Sequence, residues 1–355
     1  MFFVKKEYGK FSKKSYGSFI LAGDIGGTNT NLGIFGIKDK FPALLLSFHF
    51  KSKEIKGLSQ PIGEVLEYAK NNGNTKITKA CFAVAGVLSN KKDYVKVTNA
   101  KWDVSKSALL RKTKLKNIIL INDFEAVGYG INMLKQKDIV AIKKAGKIPK
   151  APVVVVGAGT GLGKTTLIYD EHCKSYEPLP SEAGHGDFPA QTQIEFGLVN
   201  FIKKQRKTRQ SISYEDVLSG KGLRNIYSFL RKSGKFKETK ITNLIDKSEN
   251  QPELMSKYRK ADKTCAAVFE IFKNAYAGFA RNLALDALAF GGVYIAGGIA
   301  PRNMGIFDGK FVKAFEQNHK HADVLKKIPV CLILNYNAGL LGAGFAGFKM
   351  LNKPY

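Results

Sequence analysis

The sequence predicts an α/β fold built from two similar halves, because two glycine-rich turns each follow a short apolar segment with the character of a buried strand. Residues 19–22 lead into Gly23-Asp24-Ile25-Gly26-Gly27-Thr28-Asn29, and residues 153–156 lead into Gly157-Ala158-Gly159-Thr160-Gly161-Leu162-Gly163. Glycine tolerates positive φ angles and leaves backbone N–H groups open to an anion. Each turn is therefore expected to hold phosphate oxygens, and two such turns could hold a triphosphate.

The apolar pattern predicts a similar order of elements in both halves. The first half has strands at about 19–24, 31–37, 43–50, 80–84 and 118–121, with helices at about 60–71 and 105–112. The second half has strands at 153–156, 165–169, 173–176, 293–296 and 330–334, a helical insertion at about 190–290, and a small-residue helix at 337–346. The predicted domains are a small α/β domain, 18–121 plus 337–355, and a large α/β domain, 122–336, which carries the insertion.

The composition limits the classes of partner. The chain has 355 residues, enough for two domains, and a net charge of +28 from 57 basic and 29 acidic residues. The basic residues are spread along the chain, whereas a nucleic-acid reader usually clusters them, often with aromatic residues. A solvated basic surface without a specific nucleic-acid partner is favoured. Attraction of a polyanion, namely a nucleotide, polyphosphate or nonspecifically bound nucleic acid, is the alternative.

The sequence shows neither a targeting pattern nor a disulfide pattern. Lysines interrupt residues 1–14, and no apolar run approaches about 18 residues, so neither a signal peptide nor a membrane span is expected. Cys81, Cys173, Cys265 and Cys331 are far apart and form no CxxC pair. This spacing disfavours zinc and indicates free thiols, so we expect a cytoplasmic protein with no membrane partner.

The first turn places the Asp24 carboxylate beside backbone donors and the Thr28 hydroxyl. This set suits a metal-bound phosphate, with Asp24 holding Mg²⁺ directly or through water. An ordinary hairpin turn is the alternative, since Asp and Gly are common turn residues.

The second turn continues into Lys164-Thr165 and invites comparison with the P-loop, G-x-x-x-x-G-K-[ST]. The first glycine of that motif would have to stand at Ala158, and the residues after Lys164 have a strand pattern rather than a helical one. A phosphate-binding hairpin is favoured over a P-loop or a plain turn.

A carboxylate also follows the strand at 118–121, in the sequence Asn122-Asp123-Phe124. Open α/β sheets bind ligands at the carboxyl ends of their strands, so Asp123 could accept a proton from an attacking hydroxyl. Capping of the following helix is the alternative.

Three polar or glycine-rich segments in the second half carry further candidates. Glu182 and His185 could hydrogen-bond a polyhydroxylated ligand, or could lie in a solvated loop. Glu215 could do the same, or could be a solvated helix residue. Gly297-Gly298 could admit an adenine ring, or could only allow tight packing of a strand.

The order of these motifs resembles that of the bacterial-type ATP-dependent glucokinases, in the actin–hexokinase–Hsp70 superfamily. The matching motifs span roughly 19–346 and are Gly-Asp-Ile-Gly-Gly-Thr-Asn, Asn-Asp-Phe, Gly-Thr-Gly-Leu-Gly, Glu-Ala-Gly-His-Gly-Asp-Phe, Val-Leu-Ser-Gly-Lys-Gly-Leu and Gly-Gly-Val-Tyr-Ile-Ala-Gly-Gly. The Glu-x-Gly-His and Val-Leu-Ser-Gly blocks are much more specific than the others, which the whole superfamily shares.

The resemblance implies two ribonuclease-H-like (actin-like ATPase) domains, each a five-stranded mixed sheet flanked by helices, with a cleft between them. It also implies a cytoplasmic glucokinase that phosphorylates glucose at O6 with ATP and Mg²⁺. The products are glucose 6-phosphate and ADP, in the first step of glycolysis. A homodimer is one assembly that the resemblance allows. A polyphosphate-dependent glucokinase, suggested by the basic charge, and a non-catalytic sugar or nucleotide sensor are the alternatives.

The resemblance further implies a role for each motif residue. Asp123 is the general base on the sugar 6-hydroxyl. The sugar-binding residues are Asn99, Asn122, Asp123, Glu182, His185 and Glu215. The nucleotide-binding residues are Asp24, Gly26, Gly27, Thr28, Asn29, Gly159, Thr160, Gly161, Gly297 and Gly298. Asp24 is the Mg²⁺ residue, directly or through water.

Three positions depart from the family pattern. Ala183 stands where a second glycine is usual, which leaves the preferred sugar open. Ala158 replaces a proline, and Lys164 replaces an apolar residue. Lys164 either adds a cation beside the donor phosphates or is a surface charge.

Overall fold

The computed structural model describes residues 3–351. Its strands, in chain order, are β1 (Val4–Glu7), β2 (Ser18–Ile25), β3 (Asn29–Lys38), β4 (Phe41–Lys51), β5 (Lys79–Val84), β6 (Tyr94–Lys96), β7 (Asp103–Ser105), β8 (Asn117–Asn122), β9 (Ile139–Lys143), β10 (Val153–Ala158), β11 (Leu162–Asp170), β12 (Ser175–Leu179), β13 (Gly292–Ala296) and β14 (Val330–Ile333). All ten strands that the apolar pattern predicts are present, within a few residues of their expected bounds.

The α-helices cover the segments that the sequence predicts as helical, and others besides. They are α1 (Ser59–Gly73), α2 (Lys106–Lys112), α3 (Asp123–Gly130), α4 (Gln193–Arg206), α5 (Gly220–Lys232), α6 (Lys240–Asp246), α7 (Gln251–Tyr258), α8 (Lys263–Asp286), α9 (Ile299–Arg302), α10 (Gly309–Glu316), α11 (Ala322–Lys326) and α12 (Ala338–Leu351). Helices α4 to α8 form the predicted insertion. Within residues 3–351, every helix is too short or too polar to cross a lipid bilayer.

The first sheet brings three parallel strand ends to one level. Its strand order is β1-β4-β3-β2-β5-β8. Strands β2 to β4 form an antiparallel meander, and β5 and β8 run parallel to β2. Ile25 pairs with Val84, and Val84 pairs with Asn122. The segments that leave these three strands therefore start from the same edge of the sheet.

The second sheet repeats this arrangement. Its strand order is β12-β11-β10-β13-β14-β9, and β10, β13 and β14 are parallel. Gly157 of β10 pairs with Ala296 of β13. Ala158 and Gly297 therefore leave the sheet at the same edge.

Each sheet has six strands rather than the expected five, because each gains one edge strand. Strand β1 pairs with β4, and β9 pairs with β14. The four residues of β1, Val-Lys-Lys-Glu, are all exposed and show no apolar alternation. Pairing with a neighbouring strand, rather than a pattern of its own, makes this segment a strand.

The chain divides into two compact units. Within the described residues, the first contains 3–135, 169–180 and 335–351, and the second contains 136–168 and 181–334. Residues 122–135, 169–180 and 335–336 were predicted in the large domain but lie in the first unit, which also includes 3–17. Residues 352–355 of the predicted small domain lie outside the described range. Whether the units act as the functional domains stays a prediction.

Close packing between α3 and α12 places α3 in the first unit. A Cβ added at Gly342 would collide with the carbonyl oxygen of Ala126, and one at Gly130 would collide with that of Ala338. Glycine at both positions lets the two helix backbones touch. The helix that starts with Asp123 is thus fixed by direct backbone contact to the last helix of the described chain.

Buried Lys143 stabilises the end of α11 within the second unit. Its Nζ donates hydrogen bonds to the carbonyl oxygens of Leu325, Lys326 and Ile328, at 3.2, 2.6 and 2.9 Å. It also lies 3.3 Å from a carboxylate oxygen of Glu316. One ammonium group thus satisfies carbonyls that the end of a short helix would otherwise leave unpaired.

The substitution Lys143→Met should lower the free energy of unfolding by about 1–3 kcal/mol, because it leaves buried carbonyl groups unpaired. The neighbouring Lys144→Met is the control, since Lys144 is exposed and its loss should change stability by less than about 0.5 kcal/mol. Urea unfolding of both variants measures the difference. Equal stabilities would contradict the capping role of Lys143.

Candidate active site

The first glycine-rich turn is a tight loop between β2 and β3. The Gly26 N–H donates to the Asn29 carbonyl at 2.8 Å. From outside the loop, the Ser52 hydroxyl donates to the Gly26 carbonyl at 2.6 Å, and the Ser52 N–H donates to the Thr28 carbonyl at 3.0 Å. Ser52, which the sequence reasoning missed, therefore fixes the shape of the loop.

Asp24 lies at the end of β2 and against the first turn of α12. A Cβ added at Gly339 would lie 2.9 Å from its Oδ2 atom. Burial raises the pKa of Asp24 to about 6. A divalent cation beside the carboxylate would favour the charged form again.

Asp24 is a single carboxylate beside the first glycine-rich loop. The residues the structure describes contain no group of three or more His, Cys, Asp or Glu side chains placed to hold a metal ion. Magnesium in kinases is commonly held by one or two carboxylates together with substrate phosphates and water. A single carboxylate beside a phosphate loop fits that mode, whereas a site built from protein ligands alone does not fit.

Asn99 lies on a turn that touches the first loop. A Cβ added at Gly27 would collide with the Thr98 carbonyl oxygen and would lie 2.9 Å from the Asn99 Cβ. Asn99 itself has a left-handed backbone, with φ of 62°. The two segments approach so closely that only glycine fits at position 27, and this contact brings Asn99 beside the loop.

Asn122, and not Asp123, is the N-cap of α3. Its Oδ1 accepts hydrogen bonds from the N–H groups of Phe124 and Glu125 at 2.8 and 3.2 Å, and its Nδ2 donates to the Gly86 carbonyl at 3.3 Å. The Glu125 side chain accepts from the Asn122 N–H at 3.4 Å and completes a capping box. Helix capping, the alternative role that the sequence left open for Asp123, is therefore performed by Asn122.

Asp123 is half-buried at the first position of α3. Its Oδ1 accepts a hydrogen bond from the Phe124 N–H at 3.0 Å. Because β8 ends level with β2, this carboxylate starts from the same sheet edge as the loop that contains Asp24. The sequence predicted this placement from the strand ends alone.

The second glycine-rich turn is a β-hairpin. Ala158 of β10 pairs with Leu162 of β11, and the Gly159 N–H donates to the Gly161 carbonyl at 2.8 Å. The P-loop alternative is wrong, because Lys164 lies within strand β11 rather than at the start of a helix. Lys164 is also buried rather than a surface charge, and this burial lowers its pKa.

Glu215 contacts the second hairpin directly. Its Oε2 accepts a hydrogen bond from the Leu162 N–H at 2.9 Å, and a Cβ added at Gly161 would lie 2.6 Å from the same oxygen. The sequence reasoning assigned Glu215 to a sugar and missed this contact. No local pattern could have found it, since 53 residues separate the partners.

Glu182 precedes a short turn at 183–185 and His185 ends it, and both are exposed, at 61% and 59% of their side-chain surface. The His185 Nε2 lies 3.8 Å from a Glu182 carboxylate oxygen. The Tyr214 N–H donates to the Gly186 carbonyl at 2.9 Å, which places this loop next to the segment of Glu215. Two adjacent exposed polar groups can therefore accept a ligand without first breaking a buried contact.

Gly297 and Gly298 follow β13 at the edge where the second hairpin begins. Gly297 has φ of 84°, and a Cβ there would collide with the Ala158 carbonyl oxygen. Close packing thus explains Gly297. At Gly298 and Gly159 a Cβ would meet no atom within 4 Å, so both have open space beside them.

The predicted residues thus fall into two sets, one in each unit. The first unit holds Asp24, Gly26, Gly27, Thr28, Asn29, Asn99, Asn122 and Asp123. The second unit holds Gly159, Thr160, Gly161, Glu182, His185, Glu215, Gly297 and Gly298. A family model described as glucokinase matches residues 21–350 and so includes both sets.

The chain belongs to the glucokinase family. The family predicted from the motifs is confirmed, and the chain is an enzyme of this kinase family. A curated glucokinase from Nostoc sp. is 34% identical over 348 residues, covering 94% of this chain and 100% of the relative.

Solved glucokinases share the fold. The crystal structure of a glucokinase from an Antarctic psychrotroph is 27% identical, with a TM-score of 0.75 over 94% of this chain and 99% of that chain. A ROK family glucokinase from Streptomyces griseus, solved with glucose and AMPPNP, is 16% identical, with a TM-score of 0.62 over 92% of this chain and 98% of that chain. The predicted α/β class of two actin-like domains is confirmed.

The substitution Gly27→Ala should destabilise the first unit by about 1–3 kcal/mol and lower kinase activity, because the new Cβ forces apart the loop and the turn of Asn99. Gly26→Ala is the matched control, since its Cβ would come no closer than 3.4 Å, to the Asn29 carbonyl oxygen. Thermal unfolding and initial rates check both variants. A Gly27→Ala enzyme as stable as Gly26→Ala would refute the close contact.

Proposed function

We propose that this enzyme transfers the γ-phosphoryl group of ATP, with Mg²⁺, to O6 of glucose and forms glucose 6-phosphate and ADP. This is the first step of glycolysis, and we place it in the cytoplasm. One observation carries the proposal: the Asp123 carboxylate and the loop after β2 start from level strand ends of one sheet. A solved relative that holds glucose and AMPPNP supports the choice of substrates.

The donor would be held by the two glycine-rich loops. Phosphoryl transfer needs alignment and neutralisation of charge more than covalent help from the protein. Backbone N–H groups of the loop at 24–29 and of the hairpin at 159–161 would bind phosphate oxygens. Asp24 would hold Mg²⁺, directly or through water, and the metal when bound would supply positive charge to the phosphate oxygens.

The acceptor would be activated by Asp123. The carboxylate takes the proton from the 6-hydroxyl while O6 forms a bond to the γ-phosphorus and the bond from that phosphorus to the ADP oxygen breaks. Asp123 stands at the first position of α3, so the capping bonds of Asn122 and Glu125 fix the backbone that carries it. These bonds keep the base in place before the sugar arrives.

The remaining sugar hydroxyls would be bound by Asn99, Asn122, Glu182, His185 and Glu215. A hydroxyl left unpaired in a closed site costs about 1–3 kcal/mol, so these contacts would select the sugar. Ala183 stands between Glu182 and the buried Gly184, whose missing side chain lets the turn pack on the Leu162 carbonyl. A panel of glucose, mannose, fructose and glucosamine, scored by ADP release, would rank the sugars.

The substitution Asp123→Asn should lower kcat by about 10²–10⁴-fold, because an amide cannot take the hydroxyl proton. Glucose affinity should be largely unchanged, since the amide oxygen still accepts the Phe124 N–H. Coupled assays and calorimetric titration with glucose measure the two effects separately. Turnover like that of the wild type would contradict the base assignment.

The control for this variant is Glu125→Gln. Glu125 belongs to the same capping box, and glutamine still offers an oxygen to the Asn122 N–H. Activity should stay near the wild-type value. An equal loss in both variants would mean that disturbance of the α3 cap, rather than loss of the base, explains the effect of Asp123→Asn.

A polyphosphate-dependent glucokinase is the second candidate, and the net charge of +28 is the observation that favours it. ATP should support glucose phosphorylation and polyphosphate of equal phosphate concentration should not, and EDTA should abolish the ATP reaction. Glucose 6-phosphate formed faster from polyphosphate would reverse this choice of donor.

The homodimer stays a prediction that light scattering can test.

A further inference from the structure

Ser52 is a buried residue that lies outside every motif of the family. It directly follows β4 and opens a short 3₁₀ turn, Ser52–Glu54, with only 2% of its surface exposed. Its hydroxyl donates to the Gly26 carbonyl at 2.6 Å, and its N–H donates to the Thr28 carbonyl at 3.0 Å. Both bonds end on the first phosphate loop.

The directions of the hydrogen bonds around Ser52 can be assigned. A hydroxyl has one hydrogen, and Ser52 gives it to the Gly26 carbonyl. The buried Thr30 hydroxyl lies 2.9 Å from the Ser52 oxygen, so Thr30 is the donor of that bond. Removal of the Thr30 hydroxyl would therefore leave the bond between Ser52 and the loop intact.

A fourth hydrogen bond of Ser52 leads to the segment that follows Asn99. The Ser52 carbonyl accepts a hydrogen bond from the Trp102 Nε1 at 3.1 Å. The turn of Asn99 also touches the loop directly at Gly27. One residue thus joins the loop assigned to the donor phosphates with the turn assigned to the sugar, and all of these residues lie in the first unit.

We propose that Ser52 is a positioning residue that couples nucleotide binding to sugar binding within the first unit. This inference rests on the proposed function, because it assigns the loop at 24–29 to ATP and the turn of Asn99 to glucose. A phosphate bound by the loop holds the Gly26 and Thr28 peptides in place. The Ser52 carbonyl then holds the Trp102 side chain in place. The turn of Asn99 therefore loses less conformational entropy when the sugar binds.

The coupling is reciprocal, and it can be measured as a ratio of dissociation constants. The glucose Kd is determined by calorimetry with and without saturating Mg²⁺–AMPPNP. In the wild type, the nucleotide should tighten glucose binding about fivefold or more. In Ser52→Ala the ratio should fall clearly below that of the wild type, because the hydroxyl bond to the Gly26 carbonyl is lost, while the Ser52 N–H bond to Thr28 and the contact at Gly27 keep part of the coupling.

Thr30→Val is the matched control. It removes a buried hydroxyl from the same cluster but keeps the bond from Ser52 to the Gly26 carbonyl. Its ratio should equal that of the wild type even if its stability falls. If Ser52→Ala does not fold, Trp102→Phe removes the other end of the connection and should lower the coupling ratio in the same assay.

Trp102 is the single tryptophan of the chain and provides a second readout. Mg²⁺–AMPPNP alone, without sugar, should shift the fluorescence of Trp102 in the wild type and in Thr30→Val. The shift should be smaller in Ser52→Ala. A merely structural serine would change stability without changing this response.

Two results would overturn the inference: a coupling ratio in Ser52→Ala equal to that of the wild type, or a wild-type ratio near one. Each result is compatible with an enzyme that phosphorylates glucose with ATP at a normal rate, so neither result contradicts the proposed function. Failure of the wild type to phosphorylate glucose with ATP would reject the proposed function instead.

Discussion

The level register of parallel strands is the constraint on which the candidate residues of each unit depend. In the first sheet, Ile25, Val84 and Asn122 lie in one row, and in the second sheet Gly157 lies beside Ala296. Backbone hydrogen bonds along the strands hold this register, and a shift of one residue would turn every side chain to the other face. The loops therefore leave each sheet at one edge, where their polar groups can act on one ligand.

Glycines next to these strand ends serve contact between backbones as much as binding of anions. At Gly27, Gly184 and Gly297 an added Cβ would collide with a carbonyl oxygen of another segment. At Gly159 and Gly298 there is open space instead. The glycine-rich motifs thus contain two kinds of position, one that packs the loops together and one that stays open to a ligand.

Each glycine-rich loop is also held by one side chain from outside the loop, a hydrogen-bond donor in the first unit and an acceptor in the second. Ser52 donates its hydroxyl hydrogen to a carbonyl of the first loop, and Glu215 accepts an N–H of the second hairpin. A loop tied in this way keeps its shape without ligand, so less conformational entropy is lost when a nucleotide binds. The two units share a strand pattern, but different residues hold the loop in each of them.

The sequence by itself determined ten of the twelve strands in the two six-stranded sheets, the glycine-rich loops at their ends, the insertion and the family, because apolar periodicity and glycine-rich motifs are local. The tertiary structure decided which residue caps α3, that Lys164 is buried, that β1 and β9 complete the sheets, and that Ser52 and Glu215 hold the loops. The α3 cap is a local choice between neighbouring residues, whereas the other features depend on partners far apart in the chain. No repeating pattern in the sequence indicates which residues form such pairs, since only the folded backbone brings them into contact.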